Sequence, residues 1–111
     1  MEACLPVTES VVRIEQGDLP PGQMRRIDVD GGRILLANAG GVFYAVDDLC
    51  THEDASLSTG RLEGDRVKCP LHGSRFCLRT GEPLEEPADE ALRCYPVRLD
   101  GGQVIIDLEP R

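Results

Sequence analysis

The chain has no Trp, two Phe, two Tyr and two His among its 111 residues. So few aromatics argue against a stacking surface for single-stranded nucleic acid. Positive charge is also scarce: 12 Lys and Arg face 20 Asp and Glu, for a net charge of −8. That balance disfavours phosphate backbones and anionic lipid, and favours solubility and docking to a basic protein patch. Apolar runs are short, and none approaches the roughly 20 residues of a membrane span. The stretch from Met1 to Pro6 has no basic region and no apolar run of signal-peptide length. The simplest reading is a cytoplasmic protein. A Gly-rich G-x-G-x-x-G loop is missing too, so the chain is not expected to bind NADH or flavin itself.

What is present reads as one all-β domain spanning residues 1–111. Val11–Ile14, Arg26–Val29, Arg33–Asn38 and Val42–Val46 are short β-type runs separated by Gly-rich turns, the pattern of an antiparallel meander. Strand character returns at Arg93–Leu99 and Gln103–Leu108, on either side of Asp100-Gly101-Gly102. Between them, from about 48 to 80, apolar runs shorten and Gly, Pro, Cys and His become frequent. There Leu62–Lys68 suggests a small hairpin, and Arg75–Leu78 a strand. The expected layout is therefore a strand-built base, about 10–47 and 81–108, carrying an irregular insert.

That insert holds the chemistry. Cys50-Thr51-His52 is followed, with sixteen residues between His52 and Cys69, by Cys69-Pro70-Leu71-His72, so each histidine shares a short motif with a cysteine. Two thiolates and two imidazoles, one of each per loop, are the ligand inventory of a Rieske-type [2Fe–2S] cluster. Two ferric ions, two sulfides and two thiolates sum to zero charge when both imidazoles are neutral. Adding an electron to a neutral core is easier than adding one to a core with four thiolates, so the potential is raised. Structural zinc is the alternative for two Cys and two His. The mixed pairing and the β-rich surroundings favour the cluster. Five cysteines, an odd number, also suit metal binding or buried thiols better than a disulfide framework.

With these boxes, and with Asp54–Leu57, Gly60–Gly64, Arg79–Gly81 and Tyr95–Arg98, the chain resembles Rieske ferredoxins over about residues 10 to 108. It is most similar to the soluble ferredoxins of bacterial aromatic-ring-hydroxylating dioxygenases, the biphenyl-dioxygenase type. The resemblance implies an antiparallel Rieske β-sandwich base with an inserted cluster-binding subdomain. It implies that Cys50 and Cys69 bind the inner iron, while His52 and His72 bind the outer iron and pass electrons. It further implies a monomeric one-electron shuttle from an NADH-dependent flavoprotein reductase to a terminal Rieske non-haem iron oxygenase in aromatic hydrocarbon catabolism. Respiratory relatives carry a disulfide whose positions are Ala55 and Leu71 here, so that bridge is impossible. Ser74 matches a serine that hydrogen-bonds cluster sulfur, whereas Phe76 replaces a tyrosine. A low Rieske potential follows, somewhat above that of relatives with Gly at position 74. Exposed His ligation further implies a potential that falls with pH in the alkaline range.

Other functions fit less well. A Rieske oxygenase needs a second iron site of two His and a carboxylate, and no histidine remains to build it. A small subunit of a nitrite-reductase-type complex shares the fold but sometimes lacks the ligands kept here. A zinc-stabilised interaction module would be colourless. Among the remaining residues, Cys77 and Cys94 read as small buried hydrophobes and Cys4 as inert. Leu49, Leu57 and Leu71 are expected to shield the cluster. Arg66, Lys68, Arg75 and Arg79 read as surface charge. The acidic Gly81–Glu90 segment reads as a loop, with Pro83 and Pro87 as candidates for covering the cluster.

Overall fold

The structure, a computed structural model, describes residues 11–29, 32–50, 55–70, 73–84 and 90–108. Within them lie ten strands and two 3₁₀ turns, Gln16–Asp18 and Leu57–Thr59. The strands are β1 (Val11–Glu15), β2 (Met24–Val29), β3 (Gly32–Ala39), β4 (Val42–Asp47), β5 (Arg61–Glu63), β6 (Arg66–Lys68), β7 (Arg75–Cys77), β8 (Cys94–Tyr95), β9 (Val97–Asp100) and β10 (Gln103–Asp107). They form three antiparallel sheets, ordered β1-β10-β9, β2-β3-β4-β8 and β5-β6-β7.

The four-stranded sheet is the middle layer, and β3 shows why. Its run Ile34-Leu35-Leu36-Ala37 is buried throughout, as expected of a strand covered on both faces. Successive side chains point to opposite faces. Ile34 and Leu36 join Phe43, Ala45, Tyr95, Val104 and Ile106 in one core, against the sheet of β1, β9 and β10. Leu35 and Ala37 join Leu57, Val67, Phe76 and Leu78 in a second core, against the sheet of β5–β7. One sheet thus separates two apolar cores, and the second contains both Cys50 and Cys69.

The expected meander forms as β2-β3-β4, and the expected hairpin as β5-β6, with Gly64 at φ 62° in its two-residue turn. Two expectations need correction. Arg93–Leu99 is not one strand: β8 pairs with β4 in the middle sheet, whereas β9 pairs with β10 in the outer one. The break falls at Pro96, which has no N–H to continue a ladder, so the chain turns a sandwich corner there. The proline-rich segment, in turn, does not begin as a free loop. Cys77 N–H donates to the Glu82 carbonyl and Leu84 N–H to the Arg75 carbonyl, at 2.9 and 2.7 Å. Pro83 bridges Phe76 between them and donates nothing, so this edge accepts it.

Candidate metal centre

Each cysteine of the two motifs opens a loop that closes on itself. Cys50 N–H donates to the Ala55 carbonyl at 3.0 Å, and Cys69 N–H to the Ser74 carbonyl at 2.8 Å. In both cases the partner lies five residues on. Leu49 bridges Ser56 just outside the first closure. Gly73 N–H adds a 3.1 Å bond to the Cys69 carbonyl inside the second, and Gly73 sits at φ 77°, where a Cβ would be strained. Two tight loops of matching span therefore begin at two buried thiols, 4% and 2% exposed.

Burial gives these thiols a chemical character. A thiolate in an apolar core is costly unless a cation neutralises it. Sulfur donors enclosed by Leu57, Val67 and Phe76 suit a soft-metal centre kept away from water. A groove of about 500 Å³, lined by Thr59, Gly60, Arg61, Lys68, Cys69 and Pro70 among others, opens beside the second loop.

His52, His72, Leu71 and Pro87 lie outside the described residues, as does Cys4. Of the sequence-predicted ligands the structure therefore brings together Cys50 and Cys69. Ser74 is buried, at 2% exposed, and closes the second loop through its carbonyl. Leu57 is buried, but Leu49 is 41% exposed, so only the former shields this core. Cys94 is buried beside the motif cysteines. Cys77 is half-buried rather than internal. Burial pushes its thiol up, but hydrogen bonds from the Thr80 hydroxyl and amide and the Arg79 amide, with the Arg79 charge, bring it below the ordinary thiol value. Arg75 and Arg79 are not bare surface charge either. They pair with Glu63 at 2.7 Å and Asp65 at 3.1 Å, across the small sheet. The Arg75 hydrogen bond holds the Glu63 carboxyl below its usual range.

Sequence reasoning passed over Asp48. Its side chain is fully buried, accepts from the Ser56 hydroxyl, and takes the Ser58 N–H at 2.9 Å. An Asp two residues before the Cys of the first motif, with two Ser at alternate positions after the loop, was the available signal.

The sequence profile of the Rieske [2Fe-2S] domain matches residues 9–96. The chain belongs to the Rieske [2Fe-2S] domain family. It is 47% identical, over 84% of its length and 87% of the relative's, to the ferredoxin component of biphenyl 2,3-dioxygenase from Rhodococcus jostii (strain RHA1). It is 50% identical, over 82% of its length and 86% of the relative's, to the 3-phenylpropionate/cinnamic acid dioxygenase ferredoxin subunit of Escherichia coli (strain K12). Among solved structures it resembles a chain of the complex of reduced oxygenase and oxidized ferredoxin in carbazole 1,9a-dioxygenase. The TM-score is 0.89 at 34% identity, covering 93% of this chain and 97% of that one. A Rieske domain carries one [2Fe–2S] cluster, and the buried thiols of Cys50 and Cys69 fit its sulfur-ligated iron. The all-β Rieske fold and a non-catalytic, electron-carrying role agree with these relatives.

Proposed function

We propose that this chain carries single electrons from an NADH-dependent flavoprotein reductase to the terminal oxygenase of an aromatic-ring dioxygenase system. The observation that carries this reading is the pair of buried cysteines, each opening a self-closed loop, in a chain so similar to dioxygenase ferredoxins. Cys50 and Cys69 hold one iron, and His52 and His72 hold the other. When bound, the cluster supplies one-electron redox chemistry at a potential raised by imidazole ligation. Leu57 and Phe76 keep water from the thiolates. The insert of about 48–80 works as the cluster-binding unit of a single domain, and the remainder as its base. The protein is cytoplasmic and monomeric, and among the described residues no helix is long and apolar enough to cross a membrane.

EPR of the dithionite-reduced protein is the deciding test. A Rieske spectrum of low average g, lost in His52→Ala and in His72→Ala, is the expected result. A colourless, zinc-containing protein would overturn the cluster assignment. Reduction by NADH with a dioxygenase reductase, followed by reoxidation by an oxygenase with substrate, is the expected result for the partners. Failure with every such pair, despite an intact cluster, would overturn the partner assignment alone.

A further inference from the structure

Asp48 stands where β4 gives way to the first ligand loop, and three layers of contact meet there. Its N–H donates to the Arg33 carbonyl at 3.1 Å, tying it to the start of β3. Its carbonyl accepts the Leu57 N–H at 2.7 Å. Its carboxylate takes the Ser56 hydroxyl with one oxygen and the Ser58 N–H with the other. The Ser56 and Ser58 hydroxyls are themselves 2.9 Å apart. Ser56 does not cap the following 3₁₀ turn with its own side chain, so Asp48 satisfies that turn's free N–H from outside.

The turn leads directly to the other ligand loop. It ends at Gly60, whose N–H bonds the Leu57 carbonyl at 2.9 Å. A Cβ on Gly60 would lie 2.0 Å from the carbonyl oxygen of Lys68, the residue before Cys69. Gly60 therefore presses backbone to backbone against the entry of the second loop. From Asp48 through Ser56 and Ser58 to Gly60 and Lys68, one chain of short contacts joins Cys50 to Cys69.

A fully buried carboxylate is expensive, and Asp48 has no ion-pair partner among the described residues. Simple filling of this core would use a hydrophobe. We propose that Asp48 is a positioning residue for the cluster, its carboxylate fixing the separation of the two ligand loops through the Ser56–Ser58 turn and Gly60. The inference rests on the ligand assignment proposed above.

The test compares iron release to a chelator, g-values and midpoint potential for the cluster-loaded protein and its variants. Asp48→Ala removes both hydrogen bonds to the side chain, from the Ser56 hydroxyl and the Ser58 N–H, and is expected to release iron roughly tenfold faster or more. It is also expected to shift the g-values of the clusters that remain. Asp48→Asn keeps an acceptor for the Ser58 N–H, so the release rate and g-values return close to those of the wild type. Ser56→Ala is expected to fall between them and serves if Asp48→Ala does not fold. Faster release with wild-type g-values and potential in every variant would make Asp48 a general stabiliser and overturn the proposal. Wild-type behaviour in all three would overturn it too. A wild-type protein lacking the Rieske signal would instead sink the cluster assignment.

Discussion

Asp47 and Asp48 are neighbours with opposite tasks, and only their surroundings tell them apart. Asp48 faces inward to the ligand loop, whereas Asp47 accepts from the Tyr95 phenol at 2.6 Å and from Arg93 Nε at 3.0 Å. Burial, with the Asp47 hydrogen bond and charge, pushes the Tyr95 phenol up from 10 to about 12. The proton is thus held more tightly in the folded protein. The resulting stability is fully present below pH 10 and is lost as pH rises through about 12. The urea-midpoint gap between wild type and Asp47→Asn should therefore hold steady at neutral pH and narrow above pH 10; a gap unchanged across that range would refute the coupling. Ser74 makes a second residue-scale case. If its hydroxyl donates to cluster sulfur, Ser74→Ala lowers the reduction potential, and protein-film voltammetry showing no change would remove that role.

At the scale of elements, glycine marks the places where backbones meet. Gly81 has φ 81°, and a Cβ there would lie 2.2 Å from the Leu92 carbonyl oxygen, while Leu92 N–H bonds the Gly81 carbonyl at 2.8 Å. This contact fastens the segment after β7 to the approach of β8. Gly101 has φ 61° in the β9–β10 turn but open space around it. Gly81→Ala should combine backbone strain with a steric clash and cost about 3 kcal/mol or more, against about 1 kcal/mol for Gly101→Ala. Urea unfolding would measure both, and equal losses would show that the close approach is immaterial. Pro96 acts at the same scale, ending one ladder so that β9 can begin another.

Across the whole molecule, the two apolar cores lie on opposite faces of one sheet, but only one contains the motif cysteines Cys50 and Cys69. If Cys50 and Cys69 hold the cluster as proposed, its loss removes support from the core of Leu57, Val67 and Phe76. The other core, built on Ile34, Leu36, Val104 and Ile106, does not touch them. Hydrogen exchange of the chelated apoprotein should then show protection lost in β5–β7 and retained in β1, β9 and β10. Uniform loss of protection would mean that the layers unfold as one unit. Charge is divided in a similar way. Acidic and basic residues are equal in number within 48–80, so the net −8 lies wholly outside that segment.

The strand order of the meander, the β5–β6 hairpin and the family are legible in the chain alone, because each rests on local spacing. Alternation, turn glycines and Cys-x-His pairs need no knowledge of what lies across the fold. The tertiary structure decided what depends on partners distant in the chain. Ile34–Ala37 reads as one apolar run, and only layering assigns alternate residues to different cores. Cys77 and Cys94 read alike, yet the first is half-buried under Thr80 and Arg79 and the second is enclosed. Asp48 was one acidic residue among 20 until Ser56 and Ser58 were folded back onto it. A buried carboxylate draws its meaning from the donors around it, and those donors converge only in three dimensions.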